Sequence, residues 1–374
     1  MEYLYHNFSN HPECSVQVSS FTPSPGKNSE HHMIFQFSGQ GDNEPEAKDA
    51  GIECIAVLHS CMQEWLTRDS YRDSERVFAR YFLKDAAVQR PRIHTRELFP
   101  LTCAVSFIEQ PPANNTELAV WVYLRDKGSV LEKYRHLWTT EKFCLAGNVT
   151  QQTRKLLMDY QQWLHAKGCN MKDHCMRTWF FIKDIDTNYA AFAKSRTQYF
   201  AETGMDKDTH YIASTGIEGS NGAPASYVTM DAYAVSGLEA DRITYLRGLT
   251  HLSPTNIYGV TFERGVALRF DDRTQVLISG TASIDQWGNV MHLDDITSQT
   301  LRMWENVEVL LHEAGSNFED VAQIIVYLRR QEDNELVHDL FRSRFPSIPT
   351  IIVMGRVCRP AWLIEMECIA TTQP

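Results

Sequence analysis

The chain has 374 residues, of which 43% are apolar and 22% are charged, and its formal net charge is −11. This composition is typical of a globular protein of two or three packed units, and an acidic chain without Lys/Arg runs is a poor partner for nucleic acid. No apolar stretch approaches the roughly 18 residues that a membrane-spanning helix needs, so we expect no membrane partner.

The cysteines and histidines indicate the cellular compartment and whether a metal is expected. The nine cysteines are an odd number with no CxxC pair, which favours free thiols in a reducing compartment. The first residues lack the basic and apolar segments of a secretory signal, and we expect a cytoplasmic protein. The 14 histidines form no HExxH or Cys/His grouping, and GxGxxG and Walker sequences are absent, so neither metal nor cofactor is expected.

The first third of the chain predicts strands on either side of a helix. Residues 33–39 are predicted to form a strand, and a helix containing residues 63–66 follows. The apolar segments 101–109 and 118–124 are predicted as paired strands joined by the turn-rich sequence PPANNTE.

The middle third predicts a similar order of elements. Residues 142–149 are predicted as a strand, and residues 152–184 as a helix closed by glycine, a polar loop and a buried strand. A second helix over residues 187–200 and a closing strand over residues 227–235 complete this part.

The last third repeats that order again. A strand is predicted over residues 275–284, followed by a helix, loop and strand over residues 299–330. A second helix over residues 334–345 and a closing strand over residues 362–370 end the chain.

These similarities predict internal repetition. The sequences starting at Gln152 and Gln299 align without a gap at an offset of 147 residues, and a fainter copy precedes them. We therefore predict an α+β fold of three tandem units, over residues 1–135, 136–240 and 241–374. Each unit is expected to have a four- to six-stranded sheet with two helices on one face. The other sheet faces would cover one another as an intrachain pseudo-trimer, with ligand clefts between units.

The third copy can be compared with a known family. Its sequences SGTASIDQWGNV, QTLRMWENVEVLLHEAG, IIVYLRR and IEMECIA resemble the Rid/YjgF superfamily, whose members are trimers of this chorismate-mutase-like α+β unit with sites between subunits. RidA-type imine deaminases of that superfamily bind a substrate carboxylate with an arginine, and here Ile351 takes its place. That substitution counts against the deaminase activity.

One branch fits better. Residues 357–365 resemble the CRxxLLVE signature of the chorismatases, which remove the enolpyruvyl group of chorismate and release pyruvate without a cofactor. The resemblance implies that Glu365 is the acid/base residue. The cysteine that matches Cys358 occurs in members that form 3-hydroxybenzoate, so Cys358 is the second candidate catalytic residue.

Further local matches supply candidates for binding substrate. Arg177-Thr178-Trp179 is similar to the family's Arg-x-Trp-Asn-Tyr strand, residues 192–196 to its Phe-x-x-x-Arg helix, and residues 214–219 to its Thr-Gly-Ile loop, which can offer N–H groups to an anion. The chain departs from the family at Phe180-Phe181 and at Glu218. The residues expected to bind substrate are Arg177, Arg196, Thr215, Gly216 and Arg359.

The last strand carries two acids with different expected roles. Glu365 and Glu367 alternate with apolar residues and share one strand face. In the second copy Thr229 replaces Glu365, whereas Asp231 retains the acid at the position of Glu367. An acid present in two copies indicates a structural role, so Glu365 is the better functional candidate.

The sequence thus favours an enzyme that cleaves an enolpyruvyl carboxylate by general acid/base catalysis. Two alternatives stay open: a Rid-type imine or enamine deaminase, and a non-catalytic small-molecule binding protein that keeps the fold. The expected partner is a small carboxylate, not nucleic acid. Because the three units lie in one chain, a monomer or a dimer is expected.

Overall fold

Three β-sheets follow one another along the chain in the computed structural model, which describes residues 1–24, 29–38, 50–127, 133–255 and 259–374. The fold is α+β, with helices packed against the sheets. Gly39, the last residue of the strand predicted over 33–39, lies outside the described residues.

The first sheet has six strands in the order β1-β2-β3-β6-β4-β5. Its strands are β1 Glu2–Phe8, β2 His11–Phe21, β3 Glu30–Phe37, β4 Glu75–Leu83, β5 Ala104–Glu109 and β6 Leu118–Arg125. One long helix, α1 (Ala50–Leu66), accompanies it, and only the single turn α2 (Ala86–Gln89) stands where the second helix was expected. The prediction of two helices in this unit was wrong, because short 3-10 turns with Pro91 follow α2 instead.

The second sheet has four strands in the order β7-β10-β8-β9. Its strands are β7 Arg135–Phe143, β8 Cys175–Ile182, β9 Ala213–Glu218 and β10 Val228–Ser236, and its helices are α3 Val149–His165, α4 Met171–His174 and α5 Ile185–Glu202. The strand predicted over 142–149 was largely wrong. Its first two residues end β7, and Asn148 caps α3 by accepting from the Gln151 N–H in a capping box.

The third sheet has six strands in the order β11-β12-β13-β16-β14-β15. Its strands are β11 Ile243–Leu246, β12 Gly265–Arg269, β13 Thr274–Ala282, β14 Val321–Leu328, β15 Thr350–Met354 and β16 Ile364–Thr372, and its helices are α6 Ile296–Glu313 and α7 Asn334–Arg344. Helices α3 and α6 begin 147 residues apart, at 149 and 296, which is the offset of the sequence match.

The glycines predicted to close the two matching helices have the expected conformation. Gly168 follows α3 with φ of 73°, and Gly315 follows α6 with φ of 72°. A residue with a Cβ is strained at such a φ, which is why glycine is favoured just after a helix end. The helix ends were therefore correctly predicted from sequence.

The faces of the sheets turned away from the helices pack on one another. Trp121 of β6, Trp179 of β8 and Val326 of β14 belong to one apolar cluster that all three sheets share. The helix-facing sides of the first two sheets form clusters of their own, with α1 and with α3 and α5. The common apolar centre predicted from the sequence is present.

Buried ion pairs join each sheet to the next. In each pair an arginine in or directly before a strand of one sheet meets an acid in a strand of another, and all six side chains are at most 7% exposed. The pairs are Arg80–Asp231 (2.8 Å, first to second sheet), Arg177–Glu367 (2.7 Å, second to third) and Arg273–Glu30 (2.7 Å, third to first). The contacts therefore close into a ring. A three-fold axis relating the units, and their division into domains at residues 135/136 and 240/241, stay predictions.

Candidate active site

A cavity of about 590 Å³ lies between the second and third units. Helix α5 and strand β9 form one side of it. The other side comes from β13, the start of β16, and the segments that precede β12 and β16. Residues more than 150 positions apart therefore meet at this boundary.

Glu365, the predicted acid, lies in the wall of this cavity. The residue is second in β16 and is only 5% exposed. Its carboxyl group packs against the backbone of β13, where an irregularity between Ile278 and Thr281 interrupts the pairing with β16. A Cβ added to Gly280 would lie 2.1 Å from Oε1 of Glu365. Glycine at this position is what leaves room for the carboxyl group.

The surroundings of Glu365 favour its protonated form. Burial is the largest cause, and the nearby charge of Glu367 adds to it, whereas Arg177 and Arg264 act in the opposite direction; together they raise the pKa of Glu365 from 4.5 to about 8. Most Glu365 side chains therefore carry a proton at pH 7. A buried carboxylic acid at a cavity wall can donate that proton to a bound molecule.

Basic side chains surround the same cavity. Arg196 and Lys194 reach it from α5, Arg264 from the segment before β12, and Arg359 from the segment before β16. The guanidinium of Arg359 lies 5.1 Å from the centre of the Trp362 ring, so the planar face of the guanidinium packs near an aromatic side chain. Four basic side chains and one protonated acid make the cavity suited to an anion.

Cys358 also lines the cavity. Burial, followed by the charge of Glu365, raises the pKa of its thiol to about 12. The thiol is therefore neutral near pH 7 and lacks the reactivity of a thiolate. Residues 358–359 form a bend before β16, and both side chains reach the cavity.

Two of the predicted substrate-binding residues lie behind the cavity wall. Arg177 is 1% exposed, and its Nη2 donates to Glu367 Oε2 (2.7 Å) and to Thr215 Oγ1 (2.5 Å). Thr215 in turn donates to Glu367. Neither residue is among those that line the cavity, and their contact with substrate stays a prediction.

The remaining predicted residues, Arg196 and Gly216, do line the cavity. Gly216 belongs to β9, so the loop predicted over residues 214–219 was wrong for most of its length. Residues 214–217 pair in parallel with β8. Such pairing depends on a strand that is distant in sequence rather than on local turn chemistry. A Cβ at Gly216 would be 3.4 Å from the Tyr189 ring.

The departures from the family motifs lie outside the cavity. Phe180 and Phe181 are fully buried in apolar clusters and do not line it. Glu218 accepts a bond of 2.6 Å from Nε of Arg356, on the other side of the boundary between the units. This ion pair anchors the segment that leads to Cys358.

The corresponding positions at the boundary between the first and second units carry large side chains. By strand register, Glu141 stands where the third unit has Gly280, and Phe107 stands where the second unit has Gly216. Glu141 accepts a bond of 3.0 Å from Arg90, whose guanidinium lies 5.5 Å from the Phe107 ring. The glycines that make space beside Glu365 are thus absent there.

Two basic residues of the cavity were missed from sequence. Lys194 lies at one of the unspecified positions of the Phe-x-x-x-Arg motif, and a lysine on a helix is most often solvated. Arg264 precedes β12, outside every repeat match. No local signal identifies it, because it reaches the cavity through the packing of the second unit on the third.

Across the ranges that the structure describes, no three His, Cys, Asp or Glu side chains converge so that they could hold a metal ion. Among the helices of those same ranges, none has the length and apolar character needed to cross a membrane.

Comparison with known proteins gives the family. The family model described as Endoribonuclease L-PSP matches residues 266–372. A RutC family protein of Pyrococcus abyssi is 32% identical over 97 residues, which cover 25% of this chain and 76% of that protein. The chain therefore belongs to the Rid/YjgF (L-PSP) superfamily, as the sequence motifs predicted.

Longer matches extend beyond the last unit. A 3-hydroxybenzoate synthase of Streptomyces hygroscopicus is 25% identical over 242 residues, 59% of this chain and 69% of that protein. A chorismatase of the same organism is 27% identical over 211 residues, 51% of this chain and 60% of that protein. The crystal structure of a chorismatase, 17% identical, matches 91% of this chain and 98% of its own with a TM-score of 0.62. The predicted fold class is confirmed by this likeness.

Proposed function

We propose that this protein acts on chorismate or a closely related enolpyruvyl carboxylate and releases pyruvate, with Glu365 as the general acid/base. The observation that carries the proposal is a buried glutamic acid in the wall of a cavity lined by basic side chains, where burial raises its pKa. The relatives named chorismatase and 3-hydroxybenzoate synthase support the choice of substrate.

Charge and shape favour such a substrate. Chorismate carries two carboxylates at neutral pH, and arginine binds carboxylates with paired, directional hydrogen bonds. Arg196, Arg264 and Arg359 lie in the cavity wall, and Lys194 adds a further positive charge. Trp362 and its apolar neighbours provide surface for the ring.

Glu365 supplies the proton that the reaction requires. The acid donates it to the terminal methylene carbon of the enol ether, and the C=C electron pair forms the new C–H bond. The ether oxygen stabilises the resulting oxocarbenium ion. Water adds to the cationic carbon and gives a proton to the Glu365 carboxylate. The hemiketal then collapses: the electron pair of the C–O bond to the ring goes to the ring oxygen, which takes the proton of the hemiketal hydroxyl, and pyruvate leaves. A positioned acid of this kind contributes about 10²–10⁴-fold to the rate.

Cys358 is proposed to influence the product through its position beside Glu365. Its neutral thiol is a small, polarisable wall of the cavity. In this proposal it restricts where water approaches the bound substrate and thereby selects between product isomers. Each step above uses only side chains and water, so the proposed reaction requires no cofactor.

The deaminase alternative has less support. Ile351, at the place of the RidA-type arginine, is 1% exposed in β15 and offers no guanidinium to a carboxylate. Loss of all catalysis is the second alternative. Glu365 in the cavity wall argues against this second alternative, since a binding protein needs no protonated carboxyl group beside its ligand.

The oligomeric state and the cellular location of the enzyme are part of the same proposal. The ring of ion pairs within one chain supports a monomer or a dimer. The nine cysteines, all within the described residues, are thiols, and we propose the reducing cytoplasm as the location.

The test is a pyruvate assay with purified protein. Chorismate should yield one pyruvate per molecule consumed, measured by reduction with lactate dehydrogenase and NADH. A parallel reaction that generates 2-iminobutyrate tests the deaminase alternative. Pyruvate release from chorismate without acceleration of imine hydrolysis supports the proposal, and imine hydrolysis alone would overturn it.

A further inference from the structure

The two acids of β16 are connected through a chain of buried contacts. Glu365 faces the cavity, and Glu367, two residues further on the same strand face, is 2% exposed. Both oxygens of Glu367 are bound. Oε1 accepts from Trp179 Nε1 (2.7 Å), and Oε2 accepts from Arg177 Nη2 (2.7 Å) and from the Thr215 hydroxyl. Three donors, one of them cationic, therefore hold the carboxyl group of Glu367 in place.

Thr215 links this ion pair to the backbone beside Glu365. Its Oγ1 accepts from the N–H of Gly280 (2.9 Å), and the carboxyl of Glu365 packs on that same glycine. The order of contacts is therefore Arg177 to Glu367 to Thr215 to Gly280 to Glu365. The first three residues of this series come from two different units.

We propose that Arg177, Glu367 and Thr215 are positioning residues that hold Glu365 at the cavity wall, and that Glu367 acts on it as a second acid two residues away on the same strand face. This assignment rests on the proposed function for its catalytic meaning, although its structural part can be measured without substrate. It gives Arg177 a role through Glu367 in place of the substrate contact that the family motif implies.

Groups on every neighbouring element act on Glu365. On its own strand the negative charge of Glu367 opposes ionisation, and from β8 the charge of Arg177 favours it to a smaller degree. Tyr327 lies directly opposite on β14 and is neutral, since burial raises its pKa well above 10. Arg264, from the segment before β12, favours ionisation weakly.

The cavity side contributes three more groups. Cys358 is a neutral thiol near pH 7, because burial raises its pKa to about 12. Arg196 and Arg359 line the cavity without being among the charges that act most strongly on Glu365. After burial itself, Glu367 is therefore the group whose removal should change the protonation of Glu365 most.

The experiment measures the ionisation of Glu365 directly. Protein labelled with δ-¹³C glutamate is titrated by NMR, and the Glu365 signal is assigned by its loss in E365Q. Two charges about 7 Å apart along a strand interact strongly enough at low dielectric to shift a pKa by about one unit or more. In E367Q the pKa of Glu365 should fall by about that amount. D231N is the matched control, because it removes the acid of the equivalent buried pair with Arg80 and should leave Glu365 unchanged.

Thr215 offers a second test that leaves both charges in place, should E367Q fail to fold. T215V removes the links to Glu367 and Gly280, and kcat for pyruvate release should fall about tenfold with KM changed less than threefold. T215S restores the hydroxyl and should restore kcat. An unshifted Glu365 pKa in E367Q, or wild-type kcat in T215V, would overturn the assignment. Absence of turnover in the wild type would instead refute the proposed function while the NMR titration still decides this inference.

Discussion

Substituting Glu365 by glutamine should increase the stability of the protein relative to the wild type, and this difference should grow as the pH rises. The wild-type side chain has a pKa of about 8 when folded, compared with 4.5 when exposed. The folded state therefore binds the proton more tightly, and this contribution to stability is complete below pH 4.5 and is lost as pH rises towards 8. Glutamine is isosteric with the protonated acid and does not ionise.

The size of the effect follows from the width of that pH window. Each pH unit within it costs the wild type about 1.4 kcal/mol of stability. The difference in free energy of unfolding between E365Q and the wild type should therefore change by about 3 kcal/mol between pH 5 and pH 8. Other titrating groups are common to both proteins and cancel in the difference. Burial of Glu365 at 5% exposure makes solvent screening small.

Urea unfolding at pH 5, 6.5 and 8 measures this difference. The free energy of unfolding of E365Q minus that of the wild type should increase steadily across the series. The same variant should lose pyruvate release by about 10²–10⁴-fold with substrate affinity changed only a few fold, because the arginines bind the carboxylates. A difference in stability that is constant with pH would show that Glu365 is already ionised at pH 5, and the reasoning about its role would fail.

Four further outcomes are expected. E367Q leaves Arg177 buried without its counter-charge and should lose about 3–5 kcal/mol of stability by urea unfolding; a loss below 1 kcal/mol would contradict the structural role. G280A places a Cβ 2.1 Å from the Glu365 carboxyl, so kcat should fall at least about tenfold, and wild-type kcat would mean that the carboxyl is not held there. Light scattering should give a mass near 43 kDa or its double, whereas a stable trimer would contradict ring closure within one chain. RNA binding at ~0.15 M salt should be negligible in a fluorescence assay, and salt-sensitive sub-micromolar binding would refute the charge argument.

Much of the architecture could be predicted because it depends on local patterns. The period of apolar residues and the closing glycines Gly168 and Gly315 are properties of short segments, and they identify helices α3 and α6. The candidate acid could be identified as well, since comparison between copies distinguishes Glu365 from the retained acid at position 367. These features do not require knowledge of which units touch.

The contacts between units could not be predicted in the same way. Arg177 and Glu367 are 190 positions apart, and no periodicity indicates which neighbouring sheet covers a buried arginine. The same limit applies to Arg264, whose place in the cavity depends on how the third unit packs on α5. Residues 214–219 were predicted as a loop from their similarity to the family's Thr-Gly-Ile loop, whereas in the structure most of them pair in parallel with β8.

Protonation of carbon by Glu365 is the central claim, and the fate of solvent hydrogen tests it most directly. The reaction with chorismate is run in D₂O, with lactate dehydrogenase and NADH present so that pyruvate is trapped as lactate before its methyl group exchanges. Mass spectrometry of the lactate should show one deuterium in the methyl group of each molecule, and E365Q should form this product about 10²–10⁴-fold more slowly. Lactate with an unlabelled methyl group, or equal rates for both proteins, would contradict the mechanism.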